Sequence, residues 1–216
     1  MKRGAAWVAT LALIAAVAAV AALAHADDAS QIDCFGKDNE RRIAGCTALI
    51  DGGGMSGSQL ASIYAMRALA YSLKGDYSTA IRDYDLAIQM APNFAVALNN
   101  RAWAYFRWGK AATGLPDVEE SLRLEPSAAY SLDTRAHIRQ VMGDPKGALN
   151  DYTKAMYFGG LEMIKLYQCG LTEARLYEGR IDGIWRRELQ EALEQCVESR
   201  TCDPLPADEH CRPATS

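Results

Sequence analysis

The sequence predicts an all-α protein made of short helix-turn-helix units, and two observations lead to this prediction. The chain repeats with a period of 34 residues, so three segments fall into register, starting at Ala61, Ala95 and Ala129. A glycine recurs at the end of each first helix, where glycine can adopt the left-handed conformation of a C-cap. These glycines are Gly75, Gly109 and Gly143.

Small side chains recur where the two helices of one unit must approach each other closely. The first helices hold Ala68, Ala102 and Ala136 at one repeated position. The second helices hold Ala80, Gly114 and Ala148 on the facing side. Pro92 and Pro126 close the first two units, because proline cannot continue a helix interior.

This pattern resembles the tetratricopeptide-repeat (TPR) family over residues 61 to about 160. The resemblance implies a short right-handed α-solenoid of three TPR units, whose first helices line an inner face that holds a peptide or a partner helix. Carried over residue by residue, that face consists of Ser62, Ala65, Leu69, Ser72, Val96, Asn99, Trp103, Phe106, Tyr130, Asp133, His137 and Gln140. The departures are Gly160 in place of proline, Arg139 in place of tyrosine, and Pro116, which predicts a helix start displaced by a residue or two.

The N-terminus has the pattern of a secretory signal peptide. Lys2 and Arg3 precede an apolar run, and Ala24-His25-Ala26 matches the small-x-small cleavage pattern. The alternative is an uncleaved membrane anchor. We expect cleavage before Asp27, a periplasmic or secreted mature chain, and no stable membrane insertion after cleavage.

The expected organisation follows from these patterns. It comprises a signal peptide at 1–26, a capping helix with a glycine-rich link at 27–55, three TPR units within 56–160 (61–94, 95–128 and 129–160), and a disulfide-stabilised helical unit at 161–216. The capping helix is predicted from Asn39 to Ile50, because a solenoid cannot end on an open apolar face.

The C-terminal segment 163–198 resembles the small peptidoglycan-binding domains of bacterial wall proteins. The resemblance rests on Tyr167-Gln168, Leu171, Leu176-Tyr177, Gly179, Ile181-Asp182-Gly183-Ile184-Trp185 and Ala192-Leu193. The segment departs from that family at Arg175 and Arg186, where glycine is usual. Its residues predict a helix, a loop with an Asp-Gly turn, and a second helix from Arg187 to Val197. The unit either binds glycan or simply caps the solenoid.

Six cysteines in an exported chain predict disulfides rather than metal ligands. Fifteen pairings are possible, and helix placement favours Cys34 with Cys46, Cys169 with Cys196, and Cys202 with Cys211. Cys196, Cys202, His210 and Cys211 could in principle ligate zinc, but their spacing lacks the Cys-x-x-Cys pairing of structural zinc sites.

Two charge series keep the 34-residue period. Arginine recurs at Arg67, Arg101 and Arg135, and aspartate at Asp83, Asp117 and Asp151. We expect a ladder of Arg–Asp contacts between first and second helices, either within a unit or across to the next. Because these positions should be partly covered, removal of one partner should cost more stability than the loss of an exposed ion pair does.

Composition and motifs exclude several classes of function. The chain has 23 Lys and Arg against 27 Asp and Glu, a net charge of −4, without the basic excess that nucleic-acid binding needs. His137 and His210 are the histidines of the mature part, and neither belongs to a recognisable catalytic motif. We therefore predict a non-catalytic protein without cofactor or metal.

The predicted function is a protein-interaction scaffold of the bacterial cell envelope, and the alternative is a cell-wall-associated protein that binds peptidoglycan. The partner is a protein or peptide, held by Asn99, Trp103, Phe106, Arg107, Tyr130, Asp133 and His137. Aromatic side chains dominate most interfaces, and protonation of His137 at about pH 6 to 7 would add a pH response. The alternative for Trp103 and Phe106 is that capping helices cover them. Met66 and Thr134 stand where a chaperone-type carboxylate clamp has other residues, and only Asn100 matches.

Overall fold

The computed structural model describes residues 28–199 and 201–205, so the predicted signal peptide at 1–26 lies outside the described residues. The described chain is helical and forms two compact units, which divide between Ala91 and Pro92. Over these residues no helix combines the length and the apolar character that crossing a membrane requires.

The first unit contains a capping helix and one helix pair. Helix α1 covers residues 28–34, α2 is Asn39–Gly52, α3 is Gly57–Leu73 and α4 is Tyr77–Met90. Asp38 begins α2 by accepting a hydrogen bond from the Arg41 amide at 2.8 Å. Helix α2 packs on α3, and α3 packs on α4. The capping helix is therefore present, and it covers the first helix pair.

The second unit contains two further helix pairs and a C-terminal helix. Its helices are α5 at Ala95–Arg107, α6 at Ala111–Leu124, α7 at Ala129–Met142, α8 at Pro145–Glu173 and α9 at Arg187–Glu198. Consecutive helices pack against each other from α5 to α9. Helix α8 breaks at Gly160, whose φ of 64° lies outside the helical region.

The repeated small residues have the predicted role. Gly75, Gly109 and Gly143 have φ values of 82°, 76° and 86°, which a side chain with a Cβ rarely adopts. In α6, a Cβ on Gly114 would lie 2.7 Å from the backbone oxygen of Ala102 in α5. The two helices of the second pair are therefore too close to each other for alanine at position 114.

The prediction for Pro116 was wrong. Helix α6 begins at Ala111, ahead of this proline, and Pro116 lies inside the helix. Because α6 is short and Pro116 lies only in its second turn, the helix loses a single backbone hydrogen bond and tolerates the ring.

The Arg–Asp series forms ion pairs within each helix pair. Arg67 Nε lies 2.7 Å from Asp83 Oδ2, Arg101 Nε lies 2.7 Å from Asp117 Oδ2, and Arg135 Nε lies 2.7 Å from Asp151 Oδ2. In every pair a second guanidinium nitrogen contacts the other carboxylate oxygen, so the contact is bidentate. The repeated spacing of 16 residues therefore joins the first helix of a unit to its own second helix.

The segment after Gly160 shares one apolar core with the third helix pair. Tyr152 of α8 belongs to this core together with Tyr167 and Leu171 beyond the break and with Leu189 and Leu193 of α9. Residues 174–186 between them are irregular, as the Asp-Gly turn predicted. Gln168 holds this loop, because its Oε1 accepts from the amides of Asp182 and Gly183. The segment thus packs on the third helix pair.

The predicted disulfide scheme is partly wrong. Cys34 pairs with Cys46 as expected and joins α1 to α2. Cys196, however, pairs with Cys202 at a Cα–Cα distance of 5.3 Å, so it cannot pair with Cys169, nor Cys202 with Cys211. Cys169 is disulfide-bonded as well, and Cys211 lies outside the described residues. The error arose because the chain turns back directly after α9, a local path that helix placement did not reveal.

Peptide mapping of the unreduced protein tests this pairing. Trypsin and endoproteinase Asp-N together separate Cys196, Cys202 and Cys211 onto different peptides, since Arg200 and two aspartates lie between them. We expect a linked pair of peptides that carry Cys196 and Cys202, and an internal reference pair that carries Cys34 and Cys46. A link from Cys169 to Cys196 would show that the structure misassigns the bond.

Candidate functional site

The candidate site is the surface where α5 and α7 contact each other. These are the first helices of the second and third pairs, and each presents residues three to four positions apart on one side. We define the α5–α7 face as Trp103, Phe106, Arg107, His137 and Gln140. The sequence placed all five on or beside the inner face.

The rings of the α5–α7 face form one network. Ring centroids lie 5.0 Å apart for Trp103 and Phe106, 5.2 Å for Trp103 and His137, and 5.5 Å for Phe106 and His137. The network continues inward to Tyr152 at 5.1 Å from His137. The Arg107 guanidinium lies 5.7 Å from the centre of the Trp103 ring. Trp103 and Phe106 are half-buried, so part of each ring remains accessible.

Other predicted residues are placed differently. Tyr130 and Val96 are 64% and 54% exposed, and Tyr130 is not among the rings joined to His137. Asn99 is buried and donates to Asn100 Oδ1 at 3.3 Å. Asp133 is also buried, where its Oδ1 accepts a hydrogen bond from the Tyr167 hydroxyl. Of these two buried residues, Asp133 also contacts the α5–α7 face, because its Oδ2 lies 3.4 Å from His137 Nδ1.

His137 lies between two acceptors. Its Nδ1 lies 2.9 Å from the backbone oxygen of Asp133, and its Nε2 lies 2.9 Å from Asp203 Oδ1. A carbonyl and a carboxylate can only accept, so both ring nitrogens must carry a proton. The arrangement therefore requires the positively charged imidazolium, with the Asp133 carboxylate a further 3.4 Å contact of Nδ1.

The expected titration of His137 at about pH 6 to 7 was wrong for this arrangement. Burial alone would lower the pKa of His137, but the carboxylates of Asp133 and Asp203 outweigh it and raise this pKa to about 10. The sequence could not show this, because Asp203 is 66 residues away along the chain.

Gln140 anchors the C-terminal segment to the α5–α7 face. Its Nε2 lies 3.2 Å from the backbone oxygen of Cys196, 2.5 Å from that of Ser199 and 2.9 Å from that of Cys202. Its Oε1 accepts from the Tyr152 hydroxyl at 2.8 Å. Both ends of the carboxamide thus form hydrogen bonds, and these hold the chain after α9 against the α5–α7 face.

A cleft of about 350 Å³ remains open beside this segment. It is lined by Phe106, Arg107, His137, Gln140, Val141, Thr201, Cys202 and Asp203. Arg107 is exposed at its edge, whereas His137 forms its buried wall. The cleft can take a side chain of a few heavy atoms, and its exposed charged groups are the Arg107 guanidinium and the Asp203 carboxylate.

Sequence reasoning missed Asp203 and Thr201, because they follow the last helix and share no periodicity with the repeats. Their neighbour Cys202 was the available signal, since a disulfide to α9 ties the chain down at this point. The same bond removes Cys196 and Cys202 as zinc ligands, and in the described part of the chain no group of His, Cys, Asp and Glu side chains could hold a metal ion.

One helix pair of this chain matches a known protein family. Residues 61–94, which contain most of α3 and all of α4, match the family model of the tetratricopeptide repeat. Among solved structures, the chain is similar to the first TPR of Spaghetti (RPAP3) bound to the HSP90 peptide SRMEEVD, with 27% identity and a TM-score of 0.46. That similarity covers 49% of this chain and 84% of the other. No curated protein matches the chain.

The chain therefore contains a tetratricopeptide repeat and has the all-helical, paired architecture that the sequence predicts. Solenoids of stacked helix pairs are protein-interaction folds with extended concave binding surfaces, and the resemblance described above implies that the first helices of the pairs line such a surface. The α5–α7 face lies on two such helices.

Proposed function

We propose that this protein is a non-catalytic interaction scaffold of the bacterial cell envelope that binds a protein or peptide on the α5–α7 face. The observation that carries the proposal is the half-buried Trp103–Phe106 pair beside an open cleft. Aromatic side chains bury large areas at low entropic cost, and a few such anchors supply most of the binding energy of an interface.

The envelope setting is supported by the cysteines. Cys34–Cys46 and Cys196–Cys202 are disulfides, and such bonds persist in oxidising compartments but are rare in the cytosol. The predicted signal peptide points the same way. Nothing in the described part of the chain favours the cell-wall alternative, and the segment after Gly160 is sufficiently explained as the cap of the apolar core.

The partner can be identified by affinity capture of the mature protein from an envelope extract, followed by mass spectrometry. Its binding to variant proteins then tests the site. We expect Trp103→Ala to lower the affinity for the captured partner about 30-fold, which is in the range of an interface hot spot. Phe106→Ala should have a similar effect, whereas Tyr130→Ala should have a smaller one, because Tyr130 lies outside the ring network.

Trp108→Ala is the matched control. Trp108 is 40% exposed and contacts Lys110 at the end of α5, away from the ring network. Its removal should leave partner affinity within about twofold of the wild type, as expected for a residue outside the interface. Equal losses in Trp103→Ala and Trp108→Ala, or no loss in either, would place the interface elsewhere. Circular dichroism must show that each variant is folded.

A further inference from the structure

The α5–α7 face already carries a piece of this chain. Residues 201–205 follow α9 in the chain. They lie against the α5–α7 face in a non-helical conformation. Gln140 donates to the backbone oxygen of Cys202 in this segment and to that of Ser199 ahead of it, and Pro204 is fully buried. Leu205 packs at the edge of the C-terminal core.

Asp203 is the specific contact of this segment. Its Oδ1 accepts from His137 Nε2 at 2.9 Å and from the Leu205 amide at 3.0 Å. The side chain is 44% exposed, in contrast to 3% for His137 and 6% for that of Asp133. The imidazolium is therefore built into the fold together with Asp133, whereas Asp203 approaches it from the solvent side.

Other peptides could make the same contacts. The segment uses backbone carbonyls, one carboxylate, a proline and a leucine, all of which an extended chain with an acidic residue can supply. The imidazolium of His137 favours a carboxylate at its Nε2, the position that Asp203 occupies. The other groups around this site are the Asp133 carboxylate of the same helix, the hydroxyls of Tyr152 and Tyr167 of α8, and Arg107 at the edge of the cleft.

We propose that residues 201–205 are an intramolecular occupant of the partner site, and that the partner is an extended peptide whose aspartate or glutamate replaces Asp203 at His137. This inference rests on the proposed function and names the chemistry of the partner. The open cleft beside Arg107 and Phe106 is where the incoming peptide first binds, before Asp203 and the residues after it are displaced, while the disulfide to Cys196 keeps Cys202 in place.

Displacement has a quantitative consequence. A tethered segment competes at a high effective concentration, so a peptide added in solution binds the wild-type protein weakly. Loss of the Asp203 carboxylate removes the competing contact but leaves His137, Arg107 and the aromatic pair in place. The free peptide should then bind more tightly.

The test uses the full mature chain and a fluorescein-labelled peptide, SRTSDPLP, which copies residues 199–206 with serine in place of Cys202. We expect fluorescence polarisation to show that Asp203→Asn binds this peptide at least about tenfold more tightly than the wild type does. The peptide SRTSNPLP, which lacks the carboxylate, should bind neither protein. Asp203→Glu, which restores a carboxylate, should return the affinity toward that of the wild type.

Glu178→Gln is the matched control, because it removes one negative charge from an exposed position of the 174–186 loop. It should bind the peptide as the wild type does. Equal affinity of Asp203→Asn and wild type, equal binding of the two peptides, or no binding by any variant would overturn the proposal. If Trp103→Ala weakens the captured partner while Asp203→Asn changes nothing, the scaffold function stands and only the occupant proposal falls.

Discussion

Replacement of Asp151 by alanine is expected to destabilise the protein by roughly 3 to 5 kcal/mol, the cost of removing one partner from a buried ion pair. The Asp151 side chain is fully buried and accepts from two arginines. Arg135 contributes Nε at 2.7 Å and Nη2 at 2.8 Å, and Arg139 contributes Nη1 at 2.7 Å. Without the carboxylate, two guanidinium groups would lie together without their common partner.

The other two helix pairs provide an internal ranking. The side chains of Asp83 and Asp117 are 7% and 14% exposed, and each carboxylate contacts the arginine of its own helix pair. Their alanine variants should therefore lose less stability than Asp151→Ala, in the order Asp83 and then Asp117. Arg139, which departs from the tyrosine usual in the repeat, explains why the third pair is the most sensitive.

Urea unfolding followed by circular dichroism measures these differences. Glu120→Ala is the control, because Glu120 pairs with Arg123 on an exposed surface and its removal should leave the urea midpoint close to that of the wild type. Asp151→Asn keeps the side-chain volume but not the charge. It should therefore lose most of the stability that Asp151→Ala loses. A loss in Asp151→Ala no greater than that in Asp117→Ala would contradict the ranking.

The free energy of unfolding is expected to fall as pH rises above about 6.5, the ordinary pKa of histidine. The folded-state pKa of His137 is raised to about 10, so the folded protein keeps a proton that the unfolded chain releases. This contribution is complete below the unfolded pKa and is lost as pH rises through the folded one. The expected slope is up to about 1.4 kcal/mol per pH unit for one proton.

Measurements between pH 7 and 9 isolate this effect. Within that window the buried hydroxyls of Tyr152 and Tyr167 stay protonated, because burial and the nearby Asp133 carboxylate raise their pKa. Asp203→Asn should give a shallower slope, since one of the two carboxylates that stabilise the imidazolium is gone. An identical slope in wild type and Asp203→Asn would show that Asp203 does not hold the charge of His137.

His137 and Asp203 also determine how the proposed binding of an acidic peptide should depend on pH. If the acidic peptide replaces Asp203, its affinity should persist across the same pH window, because the pKa of His137 stays raised while any carboxylate occupies the position. The scaffold would then exchange one carboxylate for another without a change in the charge of the site.

Much of the fold could be predicted because it is local and repeated. One unit needs small residues where its helices touch, a glycine at the turn and a charge pair 16 residues apart, and the same needs recur every 34 residues. The contact of Trp103 and Phe106 with His137 follows from the same repetition, since it places equivalent faces of neighbouring first helices side by side. Pro116 was misjudged because one residue says little about a helix start when later turns hold the helix together.

What the sequence determined by itself was therefore the set of helix pairs, their caps and the aromatic composition of one face. Only the tertiary structure decided that Cys196 bonds to Cys202, that Gln140 binds the backbone after α9, and that Asp203 reaches His137. These contacts join a repeating part of the chain to a part that does not repeat. No periodicity reports where such a segment docks, because its position depends on the summed packing of α7, α8 and α9 rather than on any local spacing.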